Sequence, residues 1–199
     1  MDKQLFTLGG KAWINLINTN YIADNQEFDI LFQPSSALHW LDENVLLRPS
    51  DVQALGNQEL FDQLIVKLTL LRDLSRLVLR DLKIEGKVSL AVVDSLQAFT
   101  KEIRQGLKIN LEAEKLVLVS EGVTTIDHVL YTLFQSIFET LDNVAISRIR
   151  NCDHPECRLH FVDTSKAGKR RWCSMDLCGN RQKAADFYAR NKKARDSAH

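Results

Sequence analysis

"CDHPECRLHFVDTSKAGKRRWCSMDLCGNR" (152–181) contains every cysteine of this 199-residue chain. Cys152 and Cys157 enclose four residues, DHPE, and Cys173 and Cys178 enclose another four, SMDL, with residues 158–172 between the pairs. Each pair can bend round and aim two thiolates at one point, and folding the middle back brings the pairs together. Tetrahedral zinc accepts four such sulfurs at about 2.3 Å. The other reading is two disulfides or unconnected buried thiols, which a reducing compartment disfavours. His154 and His160 lie close enough in sequence to compete for a ligand place, although thiolate is the softer donor. Pro155 suits the tight turn of the first pair.

Between the pairs, His160, Phe161 and Val162 alternate, and "TSKAGK" turns with Gly168 supplying freedom of φ. This predicts a hairpin between the cysteine pairs. After Cys178, "GNRQKAADFYARNKKAR" sets Ala184, Ala185 and Tyr188 on one stripe ringed by Arg and Lys, which reads as a basic helix. Turn, hairpin and helix carrying the last ligand give a treble-clef-like zinc finger with four cysteine ligands. So short a segment buries little apolar surface, so metal binding supplies much of its folding energy. The basic residues around Cys173 and Cys178 favour thiolate over thiol.

Charge divides the chain at the same place. Residues 148–199 hold 13 Lys and Arg against 6 Asp and Glu; subtracting from 26 of each leaves 13 against 20 for residues 1–147. A balance of −7 therefore precedes one of +7, which marks an acidic body (1–147) joined to a basic module (148–199).

The body reads as mainly α. Helices are expected over 11–22, 34–47, from Pro49, 57–83, about 88–105 with Gly106 as C′ residue, and 125–143. Ser35 or Ser36 is the expected cap of the second, and Ser50 with Gln53 the expected capping box of the third. The strongest pattern is 57–83, where Leu60, Phe61, Leu64, Ile65, Leu68, Leu71, Leu74 and Val78 share a face. One small β-hairpin, 107–111 with 116–119, interrupts the helices.

Asn15 and Asn18 fall on one helical face amid apolar neighbours. They either hydrogen-bond a neighbouring backbone or form the polar floor of a pocket for a small-molecule effector. No nucleophile elbow, P-loop, zincin or dinucleotide motif is present, so no enzyme is expected. No apolar run reaches the length of a membrane span and the N-terminus lacks a secretion signal, so a cytoplasmic location is expected.

"FVDTS…RRWCSMDLCGNRQKAADFYARNK" resembles the CGNR zinc-finger family, whose motif is carried here by Cys178, Gly179, Asn180 and Arg181. The opening "FTLGGKAWINLINT" is similar to the start of the ABATE domain that precedes the finger in that family, with Asn15 where Asp is common and Trp13 a further departure. The resemblance implies a Zn2+ site at Cys152, Cys157, Cys173 and Cys178, a helical N-terminal domain, and a stress-induced bacterial transcription regulator that binds double-stranded DNA. The residues expected to meet nucleic acid are Lys169, Arg170, Arg171, Arg181, Lys183, Arg190, Lys192 and Lys193. One helix in a groove reads few base pairs, so a homodimer formed through the body is expected. The contrasting reading is a zinc-finger adaptor whose basic face takes an acidic protein, with a thiolate redox switch as a third.

Overall fold

The computed structural model describes residues 3–23 and 26–196, with side chains over 5–23 and 26–191. In chain order, α1 (Ala12–Ile17) leads into the antiparallel pair β1 (Asn20–Ala23) and β2 (Gln26–Asp29). Then come α2 (Pro34–Glu43), α3 (Pro49–Ala54), α4 (Gln58–Ile84) and α5 (Leu90–Thr100). A second hairpin, β3 (Gln105–Glu112) and β4 (Lys115–Gly122), precedes α6 (Thr125–Asn143). The last part contains β5 (Ile149–Asn151), β6 (His160–Val162) and α7 (Asn180–Asp196).

Helix α1 is short because it lies at the centre. Trp13, Ile14, Asn15, Leu16 and Ile17 are all buried, and the helix packs against α4, α6 and β6. The helix expected over 11–22 is corrected to 12–17. The Asn18 amide closes the last turn on Ile14, and Thr19 bonds Leu16 O through both its amide and its hydroxyl. Tyr21 then pairs with Phe28 across a hairpin that the sequence did not reveal. Asn and β-branched residues compete with helix here, and tertiary pairing decides.

Helix α4 keeps the predicted face, with Phe61, Leu64, Ile65, Leu68, Leu71 and Val78 buried. Asn57 caps it by accepting from the Leu60 amide at 3.0 Å. Each such apolar side chain contributes about 1.5–3 kcal/mol when fully buried. The same face carries Arg72, whose guanidinium grips Asp29 in two bonds of 2.7 and 2.8 Å and reaches the Thr19 hydroxyl. That charge-paired contact fastens α4 to the β1–β2 hairpin.

Other helix ends also move. The expected serine cap of α2 gives way to Gln33 followed by Pro34 at the first helical position. For α3 the cap is Arg48, with Pro49 next and Asp51 accepting from the Arg48 amide. Burial pushes the Asp51 carboxyl up, but bonds from Arg48 and the Thr125 hydroxyl outweigh it and hold it below the ordinary carboxylate value. The helix expected over 88–105 ends at Thr100, because the Arg104 amide is drawn to the Asp127 carboxylate. Gly106 lies in β3 opposite Glu121 rather than at a cap.

The β3–β4 hairpin is longer than predicted and turns through Ala113 and Glu114, both at positive φ. Leu107, Ile109, Leu111, Leu116 and Leu118 project from one face, between 65% and 77% exposed. The buried core runs on from Trp13, Trp40 and Leu68 in the body to Ile149, Phe161, Val162 and Cys173.

Candidate metal centre

The hairpin of the C-terminal part is not where the sequence suggested. Strand β6 pairs with β5, which precedes the first cysteine pair, so Cys152 and Cys157 occupy the loop of the hairpin. Within that loop Cys152 donates its amide to Leu159 O, and Cys157 donates to His154 O. After β6 the chain turns as expected at Gly168 (φ 63°), where the Arg148 guanidinium would meet any side chain at 2.8 Å. Asp163 organises this turn, accepting from the Ser165 hydroxyl and amide and the Arg170 amide. The Ser165 hydroxyl bond in particular holds its carboxyl below the ordinary value.

The second pair approaches from a different local structure. The Ser174 hydroxyl accepts from the Asp176 and Leu177 amides and caps a π-helical turn, Met175–Gly179, that continues into α7. Gly179 leaves room there for two neighbouring side chains. An added Cβ would lie 2.7 Å from the Met175 sulfur and 3.1 Å from the Trp172 ring. The glycine after the last cysteine therefore lets Trp172 and Met175 close over the turn.

These two units bring the four Sγ atoms within 4.8 Å of one another. Cys157 to Cys173 is 3.8 Å, and Cys173 to Cys178 is 3.6 Å. A tetrahedron with 2.3 Å metal–sulfur bonds has an edge of about 3.8 Å, so the spacing fits a four-thiolate metal site. The Cys173 amide donates to Cys152 Sγ at 3.4 Å, a bond that would orient this sulfur toward a bound metal. Sulfur-to-sulfur hydrogen bonding with Cys157, Cys173 and Cys178 pushes Cys152 far down, and bonding with Cys152 and Cys157 pushes Cys173 far up. Such a quartet shares protons that a bound metal would displace.

The two histidines stand apart from this quartet. His154 Nδ1 accepts from the Glu156 amide, and the ring is covered by the Arg181 guanidinium. His160 faces α4 and is bound through its backbone to Asn18. The Asn18 side chain donates to His160 O and accepts from its amide, both at 2.8 Å. Asn15 accepts from the Gly9 amide and donates to Asn44 Oδ1. Both amides are thus engaged with protein groups: Asn18 is spent on β6, and Asn15 borders only a shallow surface recess.

The cationic residues separate into two sets. Arg170 turns inward, with its guanidinium 4.5 Å over the Phe161 ring and bonded to Trp172 O and Cys173 O. It braces the second cysteine pair and is withdrawn from the outer face. Arg171 pairs with Asp153 at 2.9 Å, and Arg181 with Glu156 at 3.0 Å. Lys169, Lys183 and Arg190 are exposed and make no ion pair with a described carboxylate. Lys183 and Arg171 lie over the Trp172 ring. The side chains of Lys192 and Lys193 fall outside the described residues. Of α7, residues 183–191 are exposed on every side, including Phe187 at 53% and Tyr188 at 72%.

No helix of the described residues is long and apolar enough to cross a membrane. A comparison with curated proteins gives no match. Residues 148–191, which hold the four cysteines and the exposed part of α7, match the CGNR zinc finger family.

Proposed function

We propose that this chain is a zinc-dependent DNA-binding transcription regulator rather than an enzyme. The carrying observation is α7, a helix rooted in the cysteine cluster and exposed all round, with Lys183 and Arg190 free of described carboxylates. Zn2+ bound by Cys152, Cys157, Cys173 and Cys178 would lock the π-turn to the β5–β6 loop and so fix the direction in which α7 leaves the body. Lys169, Lys183 and Arg190 then meet phosphates, and Arg171 and Arg181 join them by exchanging one carboxylate for another anion. Counterion release supplies the affinity. A reducing cytoplasm keeps the four thiols available for metal, and the stress-linked regulatory role of the resembled family suits an ABATE-like body that takes an effector.

Two copies would place two such helices on one duplex. The apolar face of the β3–β4 hairpin supports pairing, because its five large side chains offer roughly 100 Å2 each. Burying both faces removes about 1,000 Å2, the lower bound for a specific interface.

The test is a titration of the zinc-loaded protein on random and genomic duplexes at several salt concentrations. A steep salt slope and an enriched sequence are expected. The variant K169A/K183A/R190A should lose up to about 0.9 of that slope per phosphate contact removed. An unchanged slope in that variant would sink the assigned face. A second reading, an adaptor for an acidic protein, is favoured by Phe187 and Tyr188 standing exposed among the basic residues. Weak duplex binding together with tight retention of one cellular protein would select it.

A further inference from the structure

The body is acidic, yet one of its surfaces is not. On α4, Arg76, Arg80 and Lys83 recur on successive turns and border a cavity of about 500 Å3. The opposite wall comes from the C-terminal part, where Arg158, Asn151 and His160 line the same space. No lining residue is an aspartate or glutamate. Arg76 pairs with Asp73 and Arg80 with Asp81, both outside the lining. Lys83 bonds only the neutral Asn151 Oδ1, at 2.7 Å, and Arg158 has no ion pair with a described residue. His160 Nδ1 is buried and has no hydrogen-bond partner among the described residues. Leu79 and Ile84 form an apolar shelf beside the cations.

We infer that this seam cavity binds a phosphorylated small molecule of nucleotide size. Lys83 and Arg158, with no described carboxylate partner, call for more than one negative charge, which a phosphate or diphosphate brings and a single carboxylate does not; Arg76 and Arg80, each already paired, add donors around the same space. Arg forks grip phosphate in paired bonds. Phosphate alone would leave most of the volume empty. The shelf of Leu79 and Ile84 suits a flat apolar ring next to it, and the volume lies within the range of small-ligand sites. Burial, with the positive charge of Lys83 and Arg76, holds His160 down to about 4, so it is neutral at pH 7 and adds no charge to the wall. Because one wall is α4 and the other is the metal-bearing part, an occupant would bind the two together. This inference holds whether or not α7 meets DNA.

The experiment is calorimetric titration of the full metal-loaded chain with pyrophosphate, AMP and ADP, and with adenosine as the uncharged control. Binding of the phosphates, no binding of adenosine and an upward shift in melting temperature with ADP are expected. K83M/R158M should weaken ADP binding at least tenfold at unchanged metal content. R158M alone, at an exposed residue in no described ion pair, should weaken it while leaving the melting temperature of the free protein unchanged. Absence of heat and of any melting shift with all three phosphates at about 1 mM would overturn the site. Equal ADP affinity in wild type and K83M/R158M would do the same. So would a loss of duplex affinity in that variant without nucleotide binding, since the charges would then belong to a nucleic-acid face.

Discussion

Helices α4 and α7 both carry a series of basic side chains, and they are held in opposite ways. Along 27 residues α4 buries ten side chains and is gripped from both sides, by the β1–β2 hairpin through Arg72 and by β5 through Lys83. The exposed stretch of α7 is held chiefly at its own root, by the π-turn and the Trp172 ring. One is fixed by packing over its length; the other is fixed at a point. What α7 does therefore depends on a cluster of four sulfurs, whereas what α4 does is spread along the whole helix.

The contrast breaks most completely at the root. C173S removes a fully buried thiol of the proposed zinc site and should cost more than about 4 kcal/mol, since structural metal sites supply folding energy outright. Metal content by atomic absorption should fall from one per chain, and far-ultraviolet dichroism should lose the α7 contribution before the α4 contribution. Next in size is D29A, which leaves Arg72 buried without its partner. It should cost about 3–5 kcal/mol in urea unfolding and should leave metal content unchanged.

A pH effect sharpens the comparison at the face of α4. The folded His160 is held down to about 4, below its ordinary value of 6.5, by burial and by Lys83 and Arg76. A base depressed in the folded state contributes stability that is whole above the unfolded value and is lost as pH falls toward the folded one. Stability should therefore decline between about pH 6.5 and 4. H160Q should flatten that decline when urea midpoints are followed across the same range. The smallest effect is at the tip. R190A should change stability by less than about 0.5 kcal/mol while lowering duplex affinity to a similar extent on every sequence.

Which parts of this were legible in the sequence follows from the same contrast. The face of α4 and the extent of α6 were readable because an apolar stripe at helical period is a local signal. The clustering of the four cysteines was readable because residue type and spacing are local too. Arg72 gave no signal, since a charged residue on a helix reads as solvent-facing until its partner, 43 residues away, is known. The β5–β6 pairing was misplaced for a related reason. His160, Phe161 and Val162 alternate correctly for a strand, but alternation does not say which side of the cysteine pair supplies the partner. The inward turn of Arg170 was equally hidden, because the run KRR at 169–171 looks uniform while its middle member alone stacks on Phe161.

The Asn18 clamp on β6 carries a consequence for how the chain is made. It joins residues 142 positions apart, and the neighbouring bond from Val162 to Gly9 O spans still more. Such separations raise contact order and slow the search for the native state. During synthesis α1 emerges well before β6, so its Asn18 amide and the Gly9 carbonyl stay open until the residues around the first cysteine pair leave the ribosome. The central helix of the molecule is thus completed by a segment translated more than a hundred residues after it.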